Sequence, residues 1–491
     1  MRKLLLMLVV FAFVLIPAAI FASPTVYPMG TTIYKPEKCW IGYTVLSARY
    51  PYEGRLNPVI DMNGNEVNSY TSVNRGKLLP GGVLFGNKHG TDTLALVDWD
   101  DNILHEWPTG YGWHHDQQLE GNPVGYYAPD MVFDMVDGKV LILGGEKDPL
   151  EPDADPDAEP PIKDRSANPG SNDQMLVELD WDGNVLWEWH WNEHYSDAES
   201  MAAYGITLDP DDQGSPRIDY GANRLFNTAA WLGPNRHYDA GDDRFHPDNI
   251  LVETAGGDRM FIIEHATGNI VWSVGPDFTD IPALKNLGYP KEDGPFHLTG
   301  MGAFVGGMLH HGHMIPEGLP GAGNILVFNN GGPYSLVTEF DPVELEIIWE
   351  YSGRALGYGP SHDWAHTFYS GSESSAQRLP NGNTLICEAD TGRVFEVTYD
   401  DLETVWEYIN PRIWKKGISN ASTYRAYRVP YDWVPQLATP AESAVDQPDN
   451  TTYRVEEPVV PPAPPAPSGW GTAGLEFGDG GGGTAGGTIT P

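Results

Sequence analysis

One pattern recurs along this chain and restricts what it can fold into. An alternating apolar strand enters a turn rich in Asp, Asn, Thr or Gly, and a second strand leaves the turn and ends on Trp or another aromatic. The copies are PVIDMNGNEVNSY (58–70), LALVDWDDNILHEW (94–107), MLVELDWDGNVLWEW (175–189), MFIIEHATGNIVW (260–272), SLVTEFDPVELEIIW (335–349) and GRVFEVTYDDLETVW (392–406). Asp-Gly, Asn-Gly and Gly-Asn supply the positive φ angles of tight turns. The alternation of Val, Ile, Leu and Trp with polar residues suits a strand with two different faces. Each copy is therefore a β-hairpin, and there are six.

A second element precedes most of the hairpins. It reads LLPGGVLFGN (78–87), DGKVLILGG (137–145), HPDNILVETAG (246–256), GAGNILVFNNGG (321–332) and LPNGNTLICEAD (379–390), in each case a turn followed by an inner strand. One such strand, one hairpin and a further strand make a four-stranded blade. Spacings of roughly 40 to 85 residues suit propeller blades with insertions. The predicted fold is all-β, a six-bladed β-propeller over 23–440. A β-sandwich, or two stacked all-β domains, is the competing architecture. The 56 glycines and 42 prolines favour strands and loops over helices.

The flanking segments differ in kind. Arg2 and Lys3, the apolar run Leu4 to Ile16 and the small residues around Ala18 to Ser23 form a signal-peptide pattern over 1–22. No later segment is apolar enough to span a bilayer, which takes roughly 20 residues. The expected location is therefore periplasmic or extracellular, with no stable membrane span after cleavage. The segment 441–491 is rich in Pro and then Gly and reads as a low-complexity tail. The acidic, Pro-rich 147–173 reads as a surface loop. With 29 Lys+Arg against 68 Asp+Glu the formal charge is -39, so nucleic acid is excluded as a partner by repulsion. The two cysteines, Cys39 and Cys387, exclude an all-cysteine zinc site. They either bridge the ends of the closed ring or remain two thiols.

The fifteen histidines cluster. WHHDQQ carries His114 and His115, MLHHGHMIPEG carries His310, His311 and His313, and SHDWAH carries His362 and His366. The first two clusters fall just before an inner strand of their blades, so their side chains are expected near one face of the ring. Imidazole there suits acid–base or nucleophilic chemistry near neutral pH. The local HHGH suits metal ligation. Hydrogen bonding between strands at the channel mouth is the third reading.

From about 95 to 411 the chain resembles the arylsulfotransferase family. The resemblance rests on HHDQQLEGNPVGYY, NTAAWLGPNRHYDAGDDRFHPDNI, TGNIVWSVGPDF, HHGHMIPEGLPGAGNILVFNNGG and AQRLPNGNTLICEADTGRVFEVT followed by VWEYINP. It implies a six-bladed exported enzyme that moves sulfate from an aryl sulfate donor to a phenolic acceptor, through a transiently sulfated histidine, with no cofactor. Six residues before Pro316 it places the nucleophile at His310, with His311 and His313 beside it. The family's second pocket histidine falls on His115, next to His114, and its pocket asparagine on Asn227. Two family positions differ: a histidine position holds Leu225, and an arginine position falls on Ala255 or its neighbour. Sulfuryl transfer needs fixed cations around its oxygens, and Arg224, Arg259 and Arg378 are the sequence candidates to supply them.

Overall fold

The computed structural model describes residues 29–48, 56–121, 124–129, 131–133, 135–145, 174–191, 225–255, 260–274, 309–330, 335–353, 368–411 and 422–447. The signal-peptide pattern, the 147–173 loop, Arg224, Arg259, His362, His366 and the chain after 447 lie outside the described residues.

The described residues form six antiparallel sheets. After β1 (Gly30–Tyr34), blade I holds β2 (Tyr43–Ala48), β3 (Asn57–Ile60) and β4 (Glu66–Tyr70). Blade II is β5 (Val73–Leu79), β6 (Val83–Lys88), β7 (Thr93–Val97) and β8 (Ile103–Pro108). Blade III is β9 (Gly112–Leu119), β10 (Val140–Gly145), β11 (Gln174–Leu179) and β12 (Val185–His190). Blade IV is β13 (Leu225–Trp231), β14 (Ile250–Ala255), β15 (Met260–Ile263) and β16 (Ile270–Val274). Blade V is β17 (Leu309–Met314), β18 (Ile325–Asn329), β19 (Leu336–Phe340) and β20 (Ile347–Ser352). Blade VI is β21 (Ser375–Arg378), β22 (Thr384–Glu388), β23 (Arg393–Val397) and β24 (Thr404–Ile409). The last strand, β25 (Thr423–Val429), returns to pair with β2 as the inner strand of blade I, while β1 pairs with β24 at the outer edge of blade VI. The protein is a six-bladed β-propeller closed by both chain ends.

Each repeated hairpin of the sequence is the outer half of a blade. Its turn holds one residue at positive φ (Gly64, Asp101, Gly183, Gly268, Leu345 and Leu402, in blade order) next to a register shift. Asp61, Asp98 and Asp180 open three of these turns and accept the amide of the Asn four residues on, at 2.9, 2.8 and 2.7 Å.

The five preceding elements hold the second strand from the axis, not the innermost one. The innermost strands are β5, β9, β13, β17, β21 and β25. These carry buried polar side chains instead of a clean apolar alternation, which is why the hydrophobic pattern passed over them.

Apolar burial is organised between blades. The buried apolar side chains fall into six clusters, one at each blade junction. The terminal tryptophan of a hairpin bridges each of five junctions through its indole N–H. Trp107 donates to Asp180 O, Trp189 to Gly268 O, Trp272 to Pro342 O, Trp349 to Tyr399 O and Trp406 to Met62 O, at 2.7–3.2 Å. At the sixth junction Tyr70 donates to Gly82 O at 2.7 Å.

Cys39 and Cys387 share the cluster between blades VI and I, so the chain ends do meet there. The two are free thiols, the second of the two alternatives the sequence left open. Cys39 Sγ faces Val405 O at 3.3 Å and Cys387 Sγ faces Thr423 O at 3.5 Å, and burial pushes both thiols up. Strand exchange at both ends already closes the ring without a covalent link.

The tryptophan bridges can be tested at the closing junction. Trp406→Phe keeps an apolar aromatic body but removes one of the two donors to the Met62 carbonyl, leaving the Thr31 hydroxyl at 3.1 Å. We expect a loss of about 0.5–1.5 kcal/mol in denaturant unfolding, against a change within error for a surface control on β8.

Candidate functional site

Five of the six inner strands break register at one level near the axis. β5 skips Arg75 and Gly76, β9 skips His114 to Asp116, β13 skips Asn227, β17 skips His311 and Gly312, and β25 skips Tyr424. Three of these residues hold positive φ without being glycine: Arg75 at 50°, His115 at 59° and His311 at 56°. That region is costly for side-chain-bearing residues, and bulges in it re-aim side chains. Here they form a ring of re-aimed groups around the propeller axis.

The ring borders a tight cleft with essentially no free volume of its own, lined by Ser47, Arg75, Lys77, His115, Asp116, Tyr424, Arg425 and Tyr427. Two buried cations flank one carboxylate. Lys77 Nζ meets Asp116 Oδ1 at 2.7 Å, and Arg425 Nη1 meets Asp116 Oδ2 at 3.1 Å. Burial pushes the Asp116 carboxyl up, but the two cations more than offset this and hold it below the usual range. Lys77 also donates to Gln117 O and Gln118 Oε1 at 2.6 and 2.9 Å, which uses all three of its donors. Burial still pushes Lys77 down to about 8. Arg425 Nη2 donates to Asn227 O and Thr228 Oγ1 at 2.8 and 3.0 Å. Arg425 Nε and Asn227 Oδ1 are buried without a hydrogen-bond partner among the described residues. Nearer the mouth, Arg75 lies 4.0 Å over the Tyr424 ring and 5.1 Å over the Trp113 ring.

Tyr126, from the segment after β9, is fully buried and donates to His313 Nε2 at 2.7 Å. His313 Nδ1 lies 2.7 Å from His311 O, and His311 Nδ1 lies 3.0 Å from Ala376 O. A carbonyl only accepts, so in both rings Nδ1 carries the proton and Nε2 the lone pair. His311 Nε2 then faces Tyr427 Oη at 3.5 Å. Burial, His313 and Arg425 push His311 well below its usual value, and burial pushes His313 down to about 4. Both imidazoles are neutral near pH 7.

His310 stands apart from this arrangement. It is the residue that the resemblance makes the nucleophile, but its Nε2 accepts the Glu373 amide at 3.1 Å and its Nδ1 meets Asn330 Oδ1 at 2.6 Å. The nitrogens of HHGH therefore aim at separate partners, and among the described residues no three His, Cys, Asp or Glu side chains group as metal ligands. His115 is at the pocket, with Nδ1 3.2 Å from Tyr424 Oη, while Tyr424 donates to His115 O at 2.9 Å. Asn227 is beside Arg425 and donates to Leu309 O at 2.8 Å. His114 belongs to β9, but its side chain lies outside the described part.

Leu225 and Ala255 pair across the end of β13 and β14. A guanidinium reaches the axis from another blade, because Arg425 arrives on the closing strand. Arg378 does not take that role. It is fully buried in an ion pair with Glu339, stacked near Trp349 and Tyr399. Arg75, Lys77, Tyr126, Glu253, Tyr424, Arg425 and Tyr427 escaped the sequence reading. The alternating TYRAYRV of β25 was the available signal for three of them.

No family model and no curated protein matches the chain. Among solved structures the chain is similar to a protein of unknown function from Bacteroides caccae, with 10% identity over 79% of this chain and 99% of that chain and a TM-score of 0.40. It is also similar to the WD40 domain of Toxoplasma gondii coronin, with 7% identity over 81% and 76% of the two chains and a TM-score of 0.36. For AztD of Citrobacter koseri the corresponding values are 9%, 79%, 98% and 0.34. The pocket is therefore read from its own residues.

Proposed function

We propose that this protein is an exported, arylsulfotransferase-like enzyme that moves a sulfuryl group from an aryl sulfate to a phenol at the propeller axis. One observation carries the reading. In a chain of charge -39, the pocket gathers Arg75, Lys77 and Arg425, and its Tyr427 hydroxyl faces Nε2 of the neutral His311 imidazole at 3.5 Å. Cations and fixed donors stabilise the oxygens of a transferring oxyanion group more than any other single contribution. Arg425 supplies the guanidinium that the Leu225 and Ala255 positions lack.

The reading assigns the nucleophile to His311, one residue beyond the position that motif counting favours. His311 Nε2 attacks sulfur, the sulfur–oxygen bond to the aryl group breaks, and the phenolate leaves with the bonding pair. The sulfated ring is an imidazolium whose Nδ1–H still donates to Ala376 O. A phenol then attacks sulfur, the sulfur–nitrogen bond breaks, and the phenol's proton passes to solvent. Burial keeps Tyr427 protonated, so its hydroxyl is a donor for the departing phenolate. His115 and Arg75 stand at the mouth, where the anionic ester would enter. No cofactor is called for.

A second reading has its own support. Lys77 and Arg425 are both already paired with Asp116, and His311 is 1% exposed. Those facts suit a propeller that binds or scaffolds without catalysis.

Transfer from a chromogenic aryl sulfate to phenol separates the two readings. We expect wild-type transfer, its complete loss in His311→Ala, and retained turnover in His310→Ala. The opposite pattern would return the nucleophile to His310. No transfer from folded protein across several donors, together with no sulfate binding by calorimetry, would leave the non-catalytic reading. Arg75→Ala should raise KM for the donor about 10-fold with kcat largely kept, because this residue meets the anion before the chemical step.

A further inference from the structure

The glycine of HHGH is unexplained by any turn, since it lies inside β17. The residue that explains it is on another blade. Glu253 is fully buried on β14, one strand out from the axis. Its Oε2 accepts the Gly312 amide at 2.7 Å, and its Oε1 accepts the Thr228 hydroxyl at 2.8 Å. A Cβ at position 312 would lie 2.4 Å from Glu253 Oε2, so a side chain there would expel the carboxylate. Thr228 Oγ1 in turn accepts the His311 amide and Arg425 Nη2, each at 3.0 Å. Those two donors fill its lone pairs, so its own proton must go to Glu253. One carboxylate on blade IV thus ties together the bulge on blade V and the guanidinium from blade I.

We propose that Glu253 is a positioning residue for His311, a clamp that holds the β17 bulge by the Gly312 amide and, through Thr228, sets Arg425 beside it. The catalytic arm rests on the assignment of His311 as nucleophile; the structural arm does not. The clamp needs both carboxylate oxygens as acceptors and is complete only when Glu253 is ionised. The charged groups facing it are Arg425 from β25 and Asp116 from β9. Burial pushes its carboxyl up to about 7 against the pull of Thr228, Arg425 and the Gly312 amide. His311 and His313 both titrate well below that, so a limb near pH 7 would not be theirs. Stability runs in the opposite direction. A carboxyl raised from 4.5 to about 7 contributes fully below 4.5, and the contribution is lost as pH rises through about 7. Completing the clamp therefore costs folding free energy.

The test compares wild type with Glu253→Gln, Glu253→Asp and Gly312→Ala, each first shown to be folded by circular dichroism. Wild-type kcat should rise through about pH 7, following the raised carboxyl. Glu253→Gln keeps the shape but brings an NH₂ to one of two sites that need an acceptor. It should lose the pH 7 limb and about 10- to 100-fold in kcat, with KM less changed. Gly312→Ala should fall similarly from the other side of the contact, and Glu253→Asp should restore part of the limb. A kcat loss with the limb intact in Glu253→Gln, or no loss at all, would overturn the proposal. Imidazole ¹⁵N spectra give a readout independent of turnover. Wild-type His311 should show a single Nδ1–H tautomer, and Glu253→Gln a mixture of tautomers. If wild type transfers nothing, the sulfotransfer reading falls while these spectra still decide the clamp. An unchanged His311 signal in both Glu253→Gln and Gly312→Ala would overturn it.

Discussion

An indole N–H donates and cannot accept, so a buried tryptophan must find an oxygen with a lone pair to spare. Turn carbonyls are such oxygens, because a tight hairpin leaves some of them outside the ladder. Each repeated hairpin here ends in an aromatic residue that reaches the next blade's turn, or in blade I the turn of the next blade's inner hairpin. The repeat is therefore also the joint. Trp406 to Met62 O carries the joint from the last blade back to the first, and the ring closes on the same chemistry that spaces it. The apolar clusters at the junctions supply most of the burial energy, while the indole bonds fix the rotation of one blade against the next. Buried pairs such as Arg378–Glu339 and Arg428–Glu396 do the same nearer the axis.

Fixing the outer ring leaves the inner strands free to be irregular. A regular inner strand would alternate its side chains between the two faces of its own blade. The bulges turn Arg75, His115, Asn227, His311 and Tyr424 out of that alternation and bring them to one level. The cost in positive φ and interrupted ladders is offset by the junctions outside. The result is a cluster of cations and neutral imidazoles inside a chain of strongly negative charge. Its members come from blades I, II, III, IV and V, and no two neighbouring strands would suffice.

The outer hairpins were legible because their signal is local. Turn residues and a terminal aromatic recur at short range, and six copies define a ring. The first histidine clusters were legible as candidates for the same reason, since HHD and HHGH each fall in one segment. Which imidazole faces the axis was not. His310 and His311 are adjacent, and a one-residue bulge decides between them by exchanging their directions. Arg425 was missed because it is far along the chain from the histidines, on a strand whose place in blade I depends on ring closure. Glu253 was invisible for a different reason: it belongs to a second strand, and its role appears only when Gly312 and Thr228 are in place around it.

The sequence by itself determined the repeated unit, the number of blades and one segment that borders the pocket, the one carrying His115, because turn chemistry and strand alternation act over a few residues. The tertiary structure alone decided the free thiols, the closure by β1 and β25, the partners of His310 and the meeting of Arg425, Glu253 and His311. Those outcomes depend on contacts between residues more than a hundred positions apart in several cases, whose geometry is set by how six twisted sheets pack around an axis, and no local pattern encodes that.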